Sequence, residues 1–353
     1  MNFQPGLIAL MGSGETSSNG GRVFDYLARQ LPAPLKICVL ETPAGFELNS
    51  ARVAGRVADY LKTRLQNYNP QVTLVAARRR NSPFSPDDAG VVEPMLHSDM
   101  IFLGPGSPSY AVRQLRSSLA WEILLARHNL GAAISLASAA TVAVGTYALP
   151  VYEIYKVGED PHWKHGLGLL EHFGLCLAIV PHWNNAEGGA ELDTSHCFIG
   201  AERFAELQTD LPADVTVLGI DEHTSVILDL VAGEARIIGS DQVHILRGGE
   251  QHDFAKGDKF PLSLLGPFHL PQPAGTMISP GVWELALDAE RQDEADRQVE
   301  AAVPADIQSM AADRQAAREM KDWARADELR KAISAQGWNV LDTPEGPRLE
   351  PLA

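Results

Sequence analysis

Residues 132–140 read Ala-Ala-Ile-Ser-Leu-Ala-Ser-Ala-Ala, and the fold turns on how this stretch is read. Ala132–Leu136 is a short, nearly continuous apolar run, as expected of a strand buried on both faces. Ser138 follows it directly and precedes a helical pattern, a context that predicts a sharp turn with the hydroxyl projecting outward and the next amide available to an oxyanion. Outward from this point the same unit recurs. Leu7–Met11, Lys36–Leu40, Val72–Ala76 and Met100–Leu103 are equivalent apolar runs. Between them lie helically spaced residues, such as Val23, Tyr26, Leu27 and Leu31, or Val53, Val57, Tyr60, Leu61 and Leu65. Buried strands alternating with amphipathic helices predict a doubly wound α/β fold around a mostly parallel sheet, with ligands bound beyond the carboxyl ends of the strands.

Those strand ends carry Gly12-Ser13-Gly14-Glu15, Thr42-Pro43-Ala44-Gly45, Gly104-Pro105-Gly106-Ser107-Pro108 and Ala137-Ser138-Ala139-Ala140. Any one of them is ordinary turn chemistry; four together predict a cleft. Two later apolar runs end in the same manner, Leu175–Val180 in Pro181-His182-Trp183-Asn184-Asn185 and Val215–Ile220 in Asp221-Glu222-His223-Thr224. Ser225–Leu230, Arg236–Gly239 and Val243–Leu246 read as antiparallel additions near the sheet edge. The expected organisation is an α/β domain over 1–250, a Pro/Gly-bearing and then acidic linker over 251–303, and a helical segment over 304–353. In the last, Ile307, Met310, Ala311, Ala317 and Met320 form one stripe and Trp323, Ala326, Leu329 and Ile333 a second, predicting a hairpin. A short extended piece at Val340-Leu341 and a turn over 342–346 complete it.

Composition narrows the class. The 353 residues are about twice the usual domain size, and 45% hydrophobic with 21% charged residues excludes wholesale disorder and a disulfide-dense mini-domain. With 29 Lys and Arg against 45 Asp and Glu, the formal charge of −16 repels nucleic acid and anionic membranes unless a local basic patch exists. Cys38, Cys176 and Cys197 lack paired spacing, so neither a disulfide framework nor a zinc knuckle is expected. The N-terminal stretch MNFQPGLIALMGSGE has no basic region before its apolar run, and no stretch approaches the ~18 apolar residues of a span. A cytoplasmic protein with no membrane partner is the expectation, and no cofactor is implied.

Taken singly, Ser138 is equally a turn or N-cap residue, His182 a packed or exposed loop histidine, and Glu222 a solvated turn acid. Together they gain weight, because successive parallel strands of one sheet can deliver a nucleophile, a base and an orienting carboxylate to one edge. The order Ser, His, Glu departs from the α/β-hydrolase order, in which the acid precedes the histidine. The stretches LGPGSPSYAVRQL, ISLASAATVAVG, PHWNNAEGG and GIDEHTS, within about residues 7–246, resemble the cyanophycinase and dipeptidase E group of serine peptidases, whose fold is that of class I glutamine amidotransferases. The resemblance implies Ser138 as nucleophile, His182 as general base and then acid, Glu222 as the carboxylate holding the imidazole, and the amides of Gly106 and Ala139 as the oxyanion hole. Leu136 and Ala140 stand where the family's G-x-S-A-G elbow has glycines, and a Cβ there predicts crowding. The arginine-rich continuation associated with cyanophycinase is absent after His182, so cleavage of an aspartyl-arginine polymer is not implied.

The tail has a resemblance of its own. Arg314, Ala317-Arg318, KDWARADELR, GWNV and DTPEGPR look like the extreme C-terminal segment of cysteinyl-tRNA synthetases. The H-I-G-H and K-M-S-K-S signatures are missing, which excludes aminoacylation on this resemblance. Residues 304–353 hold seven Lys or Arg against nine Asp or Glu, a poor phosphate footprint unless Arg314, Arg318, Lys321 and Arg325 gather on one side. Arg78-Arg79-Arg80 is a candidate carboxylate binder or a solvated edge. Gly12-Ser13-Gly14 lacks the third glycine of a dinucleotide fingerprint. His162 and His165 with Glu159 and Asp160 make a poor metal set, and no metal is expected. The leading expectation is a serine-dependent hydrolase or peptidase acting on a small amide or peptide. The alternative is an inactive hydrolase-like scaffold binding tRNA or a protein through residues 304–353. Amidotransferase chemistry ranks third, since serine stands where those enzymes present cysteine, and a homo-oligomer completes the partner expectations.

Overall fold

In the computed structural model, which describes residues 3–271, 278–343 and 346–351, the apolar runs become strands. The first strands are β1 (Ile8–Met11), β2 (Lys36–Leu40), β3 (Gln71–Val75), β4 (Met100–Leu103), β5 (Ala133–Ala137), β6 (Tyr147–Ala148), β7 (Lys164–His165) and β8 (Leu177–Val180). They are followed by β9 (Thr216–Ile220), β10 (Thr224–Asp229), β11 (Glu234–Gly239), β12 (Gln242–Arg247), β13 (Glu250–Ala255) and β14 (Lys259–Pro261). An eight-stranded sheet has the order β14-β11-β10-β1-β5-β4-β2-β3. Its pairs from β1 through β5, β4, β2 and β3 are parallel, and those from β1 to β10, β11 and β14 antiparallel.

Period-two alternation explains why both faces are covered. Ile8, Leu10, Ile134 and Leu136 face one core, while Ala9, Met11, Ala133 and Ala137 face the other. The second core is roofed by the helices Ser18–Ala28 and Ser50–Arg64 through Val23, Phe24, Leu27, Val57 and Leu61. Each such fully buried side chain contributes about 1.5–3 kcal/mol. Ser17 starts the first of these helices by accepting from the Gly20 amide, and Ser107, followed by Pro108, starts the helix Pro108–Leu115 by accepting from that of Tyr110.

One expectation is corrected here. The later strands do not all continue this sheet. A six-stranded sheet, β13-β12-β9-β8-β6-β7, has parallel pairs at its centre and antiparallel ones outside. Leu177–Val180 of β8 and Leu218 and Ile220 of β9 share one core with Ile8 and Leu10, so the two sheets sandwich it.

The chain divides into Met1–Leu287 and Asp288–Ala353. This differs from an α/β domain ending at 250 with a linker to 303. Residues 250–255 pair with β12 and residues 259–261 with β11, and Leu262 and Leu265 are fully buried, so the first unit extends through them. The acidic run lies in a helix, Pro280–Ala302.

The second unit contains the helices Ala305–Glu319 and Trp323–Ala335 and the antiparallel hairpin of β15 (Trp338–Thr343) and β16 (Gly346–Pro351). Val303, Ile307, Ala311, Ile333 and Val340 form its core. Met320 and Trp323, expected in the buried stripes, are exposed. In their place Arg314 is buried, its guanidinium paired to Asp342 at 2.7 and 3.2 Å. The Pro344-Glu345 part of the expected turn lies outside the described residues. Among the described residues, no helix is long and apolar enough to cross a membrane.

Candidate active site

Ser138 leaves β5 at φ 53° and ψ −113°, a conformation that non-glycine residues adopt only under strain, and the helix Ala139–Ala143 begins at once. The turn is held from several sides. The Ser138 amide donates to the Met11 carbonyl at 3.3 Å, and the Val142 amide donates to the Ser138 carbonyl at 3.1 Å. The buried Thr141 hydroxyl lies 3.0 Å from the Met11 carbonyl and 2.9 Å from that of Leu136, a shared donor stitching β1 to β5. Leu136 and Ala140 are seated in the core between the sheets, so the Cβ atoms expected to crowd the turn point into packed apolar space instead.

His182 follows β8 and Glu222 follows β9, neighbouring parallel strands of the six-stranded sheet. The site is therefore assembled from two sheets, not from one edge. Ser138 Oγ lies 2.9 Å from His182 Nε2, and His182 Nδ1 lies 2.8 Å from Glu222 Oε1. Glu222 also accepts from Asn185 Nδ2 at 3.0 Å, and its amide donates to Asn184 Oδ1 at 2.8 Å. The hydrogen bond from His182 holds the Glu222 carboxyl down at about 2, against the opposing effect of burial and with help from Asn185 and the imidazole charge. An ionised Glu222 can only accept, which fixes the proton of a neutral His182 on Nδ1 and leaves Nε2 as the acceptor for the Ser138 hydroxyl.

The imidazole is held by backbone as well. His182 has φ 50°, and the Cys197 amide donates to its carbonyl at 3.1 Å, while the His196 amide donates to the Trp183 carbonyl at 2.9 Å. His196, Cys197 and Phe198 all have positive φ, forming a left-handed turn that sets the Phe198 ring 5.7 Å from the His182 ring. The loop 12–14 serves Glu222 from the other side. Gly12 donates its amide to Thr224 at 2.8 Å, Ser13 Oγ accepts from His223 at 3.0 Å, and a Cβ at Gly14, where φ is 74°, would strike the His223 ring.

Gly106 has φ 150°, and a side chain there would collide with the Pro43 carbonyl. Among the described residues, neither the Gly106 amide nor that of Ala139 has a protein acceptor. One residue beyond, Ser107 lines a cavity of about 550 Å³ with Phe46, Tyr110, Tyr152, Glu153 and Lys164. None of Ser138, His182 or Glu222 lines it.

The remaining sequence candidates are used structurally. Arg78 pairs with buried Glu41 at 2.8 Å and stacks over Phe84, and Arg80 pairs with Asp87 at 2.8 Å. His162 lies 3.7 Å from Glu159, while the His165 ring packs against Tyr147. Among the described residues no group of three or more His, Cys, Asp or Glu is placed to hold a metal ion. In the second unit Arg314 and Arg318 share Asp342, with Arg314 buried, and Arg325 pairs with Glu328 on the surface. Asn184 and Asn185, which hold Glu222, carry no assigned role in the sequence alone. Their place two and three residues after His182 at a strand end is the available signal.

None of the known family models matches the chain. Among solved structures, the chain is similar to a peptidase from an acI-B1 actinobacterium, at 18% identity and a TM-score of 0.58, covering 74% of this chain and 98% of that one. A putative peptidase E protein from Listeria monocytogenes aligns at 14% identity and a TM-score of 0.43, covering 71% and 98%. Among curated proteins, cysteine–tRNA ligase 1 of Burkholderia lata is 49% identical over 57 residues, 16% of this chain and 12% of the ligase. The ligase of Opitutus terrae is 51% identical over 51 residues, 14% and 11% respectively. The chain thus spans about an eighth of the length of these curated relatives. It combines the fold of a solved peptidase with a short ligase-like stretch.

Proposed function

We propose that the first unit is a serine-dependent hydrolase or peptidase for a small amide or peptide. His182 Nε2 takes the Ser138 proton as Oγ attacks the substrate carbonyl carbon, and the resulting oxyanion is received by the Gly106 and Ala139 amides. The imidazolium, balanced by Glu222, then protonates the leaving nitrogen as the C–N bond breaks. Water, deprotonated by His182, releases the acyl group and restores Ser138. The observation that carries this reading is the unbroken hydrogen-bond chain from Ser138 through His182 to Glu222, starting at a strained strand-to-helix turn. A fluorophosphonate probe should label the wild-type protein and leave Ser138→Ala unlabelled; equal labelling of both overturns the reading. Three free cysteines fit a cytoplasmic setting.

A second activity is favoured for the second unit by the ligase-like stretch: capture of a tRNA. A chain lacking residues 304–353 should then lose tRNA binding, and the affinity of the full chain should fall steeply with salt. Unchanged capture after the deletion removes this reading.

A further inference from the structure

A second histidine, unused by the proposed reaction, lies behind the loops that carry His182 and Glu222. His244 stands on β12, opposite Gly219 of β9 and Asp253 of β13. Its Nδ1 lies 2.7 Å from Asp253 Oδ1 and its Nε2 3.3 Å from Asp221 Oδ1, in the residue immediately before Glu222. The ring stacks on Trp183, the residue immediately after His182, with centroids 5.2 Å apart and planes at 22°. Gly219 makes this stack possible, because a Cβ there would run into the indole. One imidazole thus touches both active-site loops.

We propose that His244, as an imidazolium, is a positioning residue for the Ser138 reaction, tying Asp221 to β13 while its ring holds Trp183, so that Glu222 and His182 keep their mutual register. The inference rests on the hydrolase reading above. A neutral imidazole carries one N–H and can donate to only one of the two carboxylates, whereas the imidazolium donates to both. Burial by itself depresses His244, but the hydrogen bonds and charges of Asp221 and Asp253 outweigh it and hold the ring above the ordinary histidine value. The other ionisable neighbours are His196, which also packs on Trp183 at 4.2 Å and is depressed by burial, with Asp193 opposing and His244 adding to the effect, and His252 beside Asp253. Both carboxylates are oriented independently of the ring. Asp221 Oδ2 accepts from the Gln242 amide at 3.0 Å, and Asp253 Oδ1 from Gln251 Nε2 at 2.9 Å.

Because the folded value is raised, the bridge is complete below the ordinary histidine range, about 6.5, and is lost as pH rises through the folded value. The test is the rate of fluorophosphonate labelling of the full chain against pH. Wild type should show an alkaline fall. Asp253→Asn, a change on an exposed side chain, should move that fall to lower pH by about half a unit. His244→Gln should abolish the fall and lower the maximal rate about tenfold. A wild-type profile without an alkaline fall, or a fall unmoved in Asp253→Asn, overturns the proposal. The Cε1 proton resonance of His182, assigned by its loss in His182→Gln, separates this failure from failure of the hydrolase reading. A resonance that shifts in Asp253→Asn and His244→Gln supports the positioning role even where Ser138 proves unreactive, and one identical in all three proteins overturns it.

Discussion

Replacing Ser138 by glycine should make the first unit more stable than replacing it by alanine, although both changes remove the hydroxyl. At φ 53° and ψ −113°, any residue with a Cβ pays a steric penalty that glycine escapes. Strained positions of this kind cost about 1–3 kcal/mol. Against that gain stands the greater freedom of glycine in the unfolded chain, about 0.5–1 kcal/mol. The lost hydrogen bond to His182 is common to both variants and cancels. Ser138 is only half-buried, so removing its Cβ forfeits little packing. The difference is therefore about 1 kcal/mol in favour of Ser138→Gly. With a urea slope of about 3 kcal/mol/M, the midpoint of Ser138→Gly should lie about 0.3 M above that of Ser138→Ala. Equal midpoints, or a lower one for glycine, would refute the claim that the turn at Ser138 stores backbone strain.

Further outcomes follow from the same structure. Glu222→Gln should slow fluorophosphonate labelling at least about 100-fold by releasing the Nδ1 proton from its fixed place, with Ser138 still present. Because the Glu222 carboxyl is held down at about 2, its contribution to stability is complete above the usual carboxylate range near 4.5 and is lost as pH falls toward 2; urea titrations across that window should show a loss in wild type that Glu222→Gln lacks. In the second unit, Asp342→Asn leaves the buried Arg314 guanidinium without its counter-charge. Discounted for the partial exposure of Asp342, the cost is about 2 kcal/mol, read as roughly 30-fold faster hydrogen exchange in peptides from 305–343. Unchanged protection there would dismiss the pair as a structural element. Asp342 is itself held below its ordinary value, first by the hydrogen bond from Arg314, so the contribution is present above about pH 4 and disappears below it.

The central strands were legible almost to the residue because a parallel strand covered on both faces must be continuously apolar. Lys36–Leu40 and Met100–Leu103 have the observed limits, and Val215–Ile220 exceeds the observed strand by one residue. The assignment of β8 and β9 to a second sheet was not legible, since which strands become neighbours is decided by packing between distant segments and leaves no local period. Residues 251–255 read as linker for a different reason. As the edge strand of the second sheet, β13 is mostly solvated and carries Glu-Gln-His-Asp-Phe-Ala, with no apolar alternation to betray it. Arg314 misled in the opposite direction, because a charge among helical positions reads as surface until its counter-charge on β15 is known. For the site, Ser138, His182 and Glu222 were visible as polar residues at strand ends. Their surroundings were less so, since Thr141, Asn185 and His244 make their contacts through side-chain directions that only the folded backbone supplies.

The distribution of strain carries that point further. Among the described residues, ten non-glycine positions have positive φ, and six of them are Ser138, His182, His196, Cys197, Phe198 and His223. Ordinary turn chemistry places such angles at Asn or Gly, as at Asn69 and Asn81 here. At the site they fall on serine, histidine, cysteine and phenylalanine, which gain nothing locally from the left-handed region. They persist because neighbouring elements over-determine them: Met11 binds the Ser138 amide, Cys197 binds the His182 carbonyl, and Ser240 donates to the His223 carbonyl at 3.2 Å. The departures at Ser138 and His182 bend the chain just beyond the carboxyl ends of β5 and β8 and bring the two side chains together from the two sheets. A Ser–His–Glu geometry imposed by backbone from three separate loops should survive changes in the side chains lining the neighbouring cavity. Phe46→Ala and Tyr152→Ala should therefore leave Ser138 labelling within about threefold of wild type, well short of the tenfold or larger losses expected when a reacting group is misplaced. A loss of tenfold or more in either variant would mean that those aromatic side chains, and not the strained backbone, hold Ser138 in place.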